Sequence, residues 1–150
     1  MTITTKYGNL LDAKGILVHG CNCQGVMGSG VALQIKQKWP TVFSHYQLHH
    51  RSNSLFLGSA YFVNAEIDVC VCNAITQKFY GREPGKVYVS YDAVRDAFNT
   101  VNMWALRYGY ETINFPLIGC GLAGGDWSVV SSIIDEELDD SLEKVLWLQP

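Results

Sequence analysis

The 150-residue sequence lacks the features of several large protein classes. No apolar run approaches the roughly 20 residues that a membrane-spanning helix needs. No charged-then-apolar leader follows Met1, and five cysteines are an odd number, so a secreted, disulfide-built protein is disfavoured and a cytoplasmic one is expected. Eleven Lys and Arg against fourteen Asp and Glu give a net charge of −3, so no overall basic field attracts nucleic acid.

The sequence also lacks internal repeats, low-complexity tracts and linkers rich in Pro, Gly or Ser. We therefore expect residues 1–150 to form a single domain. A chain of this length buries about 68–70% of its unfolded surface, which provides a core without disulfide or metal staples.

The cysteines and histidines do not have the spacing of a metal site. The pairs at 21 and 23 and at 70 and 72 lack the two-to-four-residue spacer of zinc ligands, and residues 69–72 alternate as a strand does. The histidines at 45, 49 and 50 have no acidic or cysteine partner nearby and are expected to be surface or helix-packing residues. We predict neither a metal nor a cofactor.

Short β-rich runs alternate with longer helical patterns. Strands are predicted at 2–6, 16–18, 57–63, 69–73, 113–117 and 145–148, with 16–18 buried and 2–6 at an edge. One apolar stripe predicts a helix over 91–108 that stops at Gly109. A second helix begins near Gly30 and is closed by Pro40, and a third starts with Asp126 or Ser128 as its N-cap. This order predicts an α/β fold with helices on both faces of a sheet.

Two glycine loops each follow a strand and precede a helix. The first lies within residues 18–31, VHGCNCQGVMGSGV, and the second spans residues 119–125, GCGLAGG. Glycines at 25, 28 and 30 free the backbone to turn its N–H groups toward one point, and the helix beginning at Gly30 adds its positive end. Two such loops at the carboxyl edge of a sheet predict a diphosphate gripped from both sides.

The alternative is that these glycines only allow tight strand-to-helix packing. Neither loop has the spacing of the Gly-x-x-x-x-Gly-Lys-Ser/Thr phosphate loop or of the Gly-x-Gly-x-x-Gly dinucleotide motif.

Three segments in order resemble a known family. Residues 8–11 (GNLL) are similar to the opening signature of the macro domain, which binds ADP-ribose, residues 18–31 to its first phosphate loop and residues 115–127 to its second. The loops most resemble the branch that contains ADP-ribose 1''-phosphate phosphatases and the antitoxins that remove ADP-ribose from thymidine in DNA. The resemblance implies a three-layer α/β/α fold with a mixed sheet of six strands.

The sequence departs from the family pattern at three positions. Gly15 stands where many macro domains have an Asp that reads adenine, so adenine selectivity must come from elsewhere. Gln77 stands where the DNA-processing antitoxins have a catalytic Lys, with Lys78 one residue later. Ala123 replaces an acidic residue of some relatives, which leaves Asp126 as the nearest carboxylate. These differences disfavour lysine-dependent release of ADP-ribose.

His19 matches a histidine proposed as catalytic in the phosphatase branch, so the resemblance favours a metal-independent ADP-ribose 1''-phosphate phosphatase. His19 would act as general acid or base, because an unperturbed histidine has a pKa of about 6.5. Asn22 would hydrogen-bond the distal ribose or orient water, and loop N–H groups would stabilise charge on phosphate. The predicted ligand-binding residues are Asn9, Gly25, Val26, Met27, Gly28, Ser29, Gly30, Val31, Phe79, Tyr80, Gly119, Cys120, Gly121, Leu122 and Ala123.

Other functions stay open. Residues 78–86 are locally basic and aromatic, which suits stacking on adenine or on a nucleic-acid base. The alternative for this segment is an exposed loop with ordinary aromatics. A second hypothesis for the protein is a hydrolase of ADP-ribosylated DNA or protein, with Lys78 or Asp126 in the missing roles. A third hypothesis is a non-catalytic reader of ADP-ribose, and a fourth is a domain that binds another phosphate ligand. No membrane partner is expected, and the sequence does not indicate an oligomeric state.

Overall fold

The computed structural model describes residues 3–81, 83–121 and 123–150. The strands of this part of the chain are β1 (Thr4–Tyr7), β2 (Gly15–Asn22), β3 (Ala60–Glu66), β4 (Val69–Gln77), β5 (Thr112–Phe115) and β6 (Glu143–Leu148). The helices are α1 (Gly30–Lys38), α2 (Pro40–Arg51), α3 (Tyr91–Tyr108) and α4 (Trp127–Glu137), and a 3-10 turn covers Leu10–Asp12. None of these helices has the length and apolar character that crossing a membrane requires.

The six strands form one mixed sheet in the order β1-β6-β5-β2-β4-β3. All neighbours are parallel except β3 and β4, which are antiparallel. The predicted α/β fold with a mixed six-stranded sheet is therefore confirmed. Because β5, β2 and β4 are parallel neighbours, the loops that follow them all leave the same edge of the sheet.

The central strand β2 is buried on both faces of the sheet. Ile16 and Val18 pack in the cluster that contains residues of α3 and α4, whereas Leu17 packs with residues of α1 and α2. Since successive strand residues point to opposite faces, His19 and Cys21 lie on the same face as Leu17.

The long helix α3 has the predicted bounds and ends. The Ser90 hydroxyl accepts a hydrogen bond from the Ala93 N–H, and Gly109 closes the helix with φ 76°. For α4, the Asp126 carboxylate accepts from the Ser128 N–H, which makes Asp126 the N-cap. The N-termini of α3 and α4 are thus both capped by side-chain oxygens, which accept from N–H groups that the first helical turn leaves unpaired.

Pro40 has a second role that the sequence prediction missed. The first helix ends at Lys38, and Pro40 then begins α2, a segment for which the sequence predicts no element. Proline is tolerated at the first position of a helix because its missing N–H has no intrahelical acceptor there.

All six predicted strands are present, but several begin or end at other residues than predicted. The strand predicted at 57–63 begins only at Ala60, since residues 57 and 58 form a turn. The strand predicted at 69–73 extends to Gln77, and that at 113–117 covers 112–115. The predicted edge strand 2–6 is β1 at Thr4–Tyr7, and Thr2 lies outside the described residues.

Candidate functional site

A cavity of about 700 Å³ opens where β2, β4 and β5 end. Its walls are formed by the loops that follow these strands and by the first turn of α1. The lining residues are His19, Gly20, Cys21, Asn22, Val26, Gly28, Ser29, Gly30, Val31, Ala32, Gln77, Tyr80, Gly81, Pro116, Leu117, Ile118, Gly119, Cys120, Gly121 and Ala123.

The start of α1 forms one wall of this cavity. Ser29 is the N-cap residue, but its side chain makes no capping hydrogen bond to any described residue. The first backbone bond of the helix runs from the Leu33 N–H to the Ser29 carbonyl, so the N–H groups of residues 30–32 precede the intrahelical pattern. The uncapped turn, with the positive end of the helix dipole, is suited to an anion.

The second glycine loop forms the opposite wall and is packed tightly from behind. A Cβ atom on Gly119, whose φ is +74°, would lie 2.5 Å from Val89 Cγ2. A Cβ on Gly124, also at φ +74°, would lie 2.5 Å from the Lys86 carbonyl oxygen. These two positions therefore require glycine, whereas a Cβ on Gly121 would have no atom within 4 Å.

The Asn22 side chain shapes the first loop. Its Oδ1 accepts from the N–H groups of Gln24 at 2.9 Å and Val26 at 3.3 Å, and its Nδ2 donates to the Val26 carbonyl at 2.9 Å. Both ends of the amide are thus bound to residues of its own loop. A contact between Asn22 and a ribose or a water stays a prediction.

His19 borders the cavity, but its side chain is only 1% exposed. Its Nε2 lies 2.6 Å from Asn73 Oδ1 on the neighbouring strand. Burial lowers the pKa of His19 to about 4, against the opposing effect of the hydrogen bond to Asn73. The imidazole is therefore neutral at pH 7, and neutral imidazole is the form from which any general acid–base role would start. That role stays a prediction.

The cavity wall carries little charge. Within the described part of the chain, no Asp, Glu, Lys or Arg lines it. Burial raises the pKa of the Cys120 thiol to about 11 and raises that of Cys21 further, so both thiols are protonated at pH 7. No three His, Cys, Asp or Glu side chains among residues 3–81, 83–121 and 123–150 gather as metal ligands would. Backbone N–H groups and the α1 dipole thus dominate the local field.

The segment after β4 forms the rim of the cavity. The Tyr80 side chain is 57% exposed, and the Tyr80 backbone N–H donates to Gln24 Oε1 at 2.9 Å. Phe79 is exposed and does not line the cavity, and the Lys78 ammonium lies 5.6 Å from the centre of its ring. Gln77 donates from Nε2 to the Phe79 carbonyl, which directs its amide along the rim.

The structure brings most of the predicted site together. Twelve predicted residues line the cavity: His19, Asn22, Val26, Gly28, Ser29, Gly30, Val31, Tyr80, Gly119, Cys120, Gly121 and Ala123.

Four predicted residues that the structure describes do not line the cavity. Met27 is buried in the core, Gly25 packs on the ring of His50, and the Asn9 side chain accepts from the Leu11 N–H in the 3-10 turn. Phe79 is exposed outside the rim. Leu122, like Arg82 in the basic segment, lies outside the described residues.

Position 15 does not border the cavity. Gly15 begins β2, so it lies at the edge of the sheet opposite the cavity. Asp126 does not line the cavity either, and its carboxylate caps α4.

Sequence reasoning missed several residues of the cavity wall. Ala32, Gln77, Gly81 and residues 116–118 all line it, and most of these directly follow a strand or start a helix. For residues 77, 81 and 116–118, the available signal was their position at or after the ends of β4 and β5, because these strands end at the same edge as β2.

The chain matches one family model and is similar to known proteins whose names refer to ADP-ribose. A family model described as Macro domain matches residues 18–134. A DNA ADP-ribosyl glycohydrolase of Mycobacterium tuberculosis is 30% identical over 132 residues, which is 85% of this chain and 36% of that protein. The chain thus spans about a third of that relative's length. An ADP-ribose 1''-phosphate phosphatase of Candida albicans is 25% identical, with 82% of this chain and 81% of that protein covered.

Solved structures agree with the fold. A Bacteroides thetaiotaomicron protein of unknown function is 31% identical with a TM-score of 0.90, covering 100% of this chain and 99% of its own. The macrodomain of Mycobacterium tuberculosis DarG is 26% identical with a TM-score of 0.82, and 97% of each chain is covered.

Proposed function

The chain belongs to the macro domain family, and we propose on that premise that it binds ADP-ribose and hydrolyses ADP-ribose 1''-phosphate to ADP-ribose and inorganic phosphate. One observation carries the proposal: the cavity lies between an uncapped helix start and a second glycine loop, and no described carboxylate lines it. The phosphorylated ligand carries a terminal phosphate in addition to its diphosphate. A wall of N–H groups without carboxylates favours that additional negative charge.

The reaction needs few groups from the protein. A water oxygen loses a proton and forms a bond to the terminal phosphorus, the bond from phosphorus to the oxygen on C1'' breaks, and this oxygen takes up a proton. Loop N–H groups at the positions of the phosphate oxygens stabilise the charge that develops on them. Asn22 keeps the first loop in shape, and His19 is the candidate for proton transfer.

Phosphate release followed by phosphorus NMR tests the proposal. We expect the purified protein to release phosphate from ADP-ribose 1''-phosphate at the same rate with and without EDTA. Ribose 1-phosphate, which has the same phosphate but lacks the adenosine diphosphate, is the control for contaminating phosphatases and should stay intact. If ADP-ribose binds but no phosphate is released, the phosphatase is rejected, and a hydrolase of ADP-ribosylated DNA or protein and a reader of ADP-ribose are the functions left.

A second candidate is removal of ADP-ribose from DNA or protein. Two observations favour it: the mycobacterial relative is named a DNA ADP-ribosyl glycohydrolase, and Lys78, Phe79 and Tyr80 are exposed beside the cavity. An aromatic and basic rim suits a nucleic-acid strand attached to a bound ADP-ribose.

The variant Lys78→Ala separates the two candidates. Because the Lys78 ammonium is exposed and lies near the Phe79 ring, we expect phosphate release from ADP-ribose 1''-phosphate to change by less than about twofold. Lys86→Ala, a change of another exposed lysine, is the matched control. A release of ADP-ribose from modified DNA that Lys78→Ala abolishes and Lys86→Ala preserves would instead establish the second candidate.

A further inference from the structure

Helix α2 lies behind the first glycine loop and contacts it through three side chains. Tyr46 is fully buried, and its hydroxyl lies 2.5 Å from the Asn22 carbonyl oxygen and 2.9 Å from Asn22 Oδ1. The ring of His50 packs under Gly25, where a Cβ atom would lie 2.7 Å from His50 Cγ. Gln47 Nε2 lies 3.5 Å from the Gly25 carbonyl oxygen.

We propose that Tyr46 is a positioning residue for the ligand site, because its hydroxyl fixes Asn22 and through Asn22 the shape of the first glycine loop. The inference rests on the proposed binding of ADP-ribose and adds a residue that does not border the cavity. The phenol proton is shared between two oxygens of a single residue, so it fixes both the backbone and the side chain of Asn22.

The effect reaches the cavity in two steps. Asn22 Oδ1 accepts from the N–H groups of Gln24 and Val26, so these two donors are turned away from the ligand. These bonds hold the loop in a single conformation up to the start of α1, where residues 28–32 line the cavity. The Gln24 side chain in turn accepts from the Tyr80 N–H, which extends the hydrogen-bonded chain from the core to the rim.

The Tyr46 hydroxyl keeps its proton, and so donates, throughout the pH range in which proteins are studied. Burial raises the pKa of Tyr46 well above its ordinary value, and backbone hydrogen bonds of the loop oppose this only in part. The constraint on Asn22 is therefore not a pH switch, and its loss requires removal of the oxygen atom.

The test compares Tyr46→Phe with Tyr61→Phe. Tyr61 is the matched control because its hydroxyl also donates to a backbone carbonyl, but to that of Ser54 and not to a residue of the first loop. We expect Tyr46→Phe to speed amide hydrogen exchange at Gln24 and Val26 about tenfold and to weaken ADP-ribose binding about fivefold, the loss that one net hydrogen bond gives. KM should rise while kcat changes by less than about twofold, since the loss is one of binding geometry. Tyr61→Phe should change neither the exchange nor the affinity.

Each outcome decides a separate point. Unchanged exchange at Gln24 and Val26 in Tyr46→Phe overturns the positioning role. Faster exchange with unaltered affinity overturns its link to the ligand. If the wild type binds no ADP-ribose, the proposed function fails, and the exchange data alone decide whether Tyr46 orders the loop.

General destabilisation has its own readout. Exchange at Val145, a buried residue of β6 remote from α2, would rise in parallel if Tyr46→Phe merely weakened the whole fold, and that result also counts against the inference. Asn22→Ala removes the Oδ1 acceptor of both amides directly, so the double variant decides the route: the effects of Tyr46→Phe and Asn22→Ala on exchange at Gln24 and Val26 should be non-additive if Tyr46 acts through Asn22.

Discussion

Gly121→Val is expected to abolish ADP-ribose binding, with a loss of affinity of at least about 100-fold, while the protein stays folded. Gly121 lines the cavity, and a Cβ atom built on it has no atom within 4 Å. Its φ is not in the left-handed region, so the change adds no backbone strain. The new methyl groups would occupy space that the ligand needs, and overpacking of this kind costs about 1–3 kcal/mol or more.

Calorimetric titration with ADP-ribose and a thermal melt measure the two quantities. Gly119→Val is the contrasting variant, since its side chain would collide with Val89 at a backbone φ of +74°. That variant should lose both stability and binding. A Gly121→Val protein that binds as tightly as the wild type would show that the ligand does not occupy the space between the two loops.

The position of the cavity was predictable from the sequence because it depends on a property of parallel sheets. The first loop follows β2 and the second follows β5, and parallel neighbours bring their carboxyl ends to one edge. The resemblance to the macro domain family, drawn from segments 8–11, 18–31 and 115–127, is confirmed by the family match over residues 18–134.

Helix α2 and its contacts were not predictable in the same way. Pro40 is a valid end for one helix and a valid first residue for the next, so the pattern after it carried no clear start signal. The bond from Tyr46 to Asn22 joins residues 24 positions apart. Only the tertiary packing of α2 behind the loop makes the two neighbours, and no local periodicity encodes that packing.

The sequence also did not indicate on which face of the sheet His19 lies. Strand β2 is buried on both faces, so its residues are apolar on both and the usual alternation of polar and apolar residues is missing. The structure places His19 on the face of Leu17, against Asn73 of β4. Sequence reasoning identified the residue but could not place its ring.

Acidification should unfold the protein in part through His19. Its pKa is about 4 in the folded protein, and an unfolded histidine has a pKa of about 6.5. The unfolded chain therefore binds this proton more tightly, and the free energy of unfolding falls as the pH drops from about 6.5 toward 4. The loss from this group approaches about 3 kcal/mol at the acid end of that range.

Urea unfolding at pH 7, 5.5 and 4.5 measures this loss, with His19→Gln as the variant that removes the titrating group. We expect the stability of His19→Gln to fall less between pH 7 and pH 4.5 than that of the wild type. An equal fall in both proteins would show that His19 is not buried as the structure has it.

Phosphate release by the same variant tests proton transfer, because glutamine keeps a hydrogen-bonding group but cannot act as a base. Turnover lost in His19→Gln with ADP-ribose affinity retained supports catalysis by the imidazole, whereas retained turnover assigns His19 to the core, where its contribution is to the stability of the strand ends that carry the first loop.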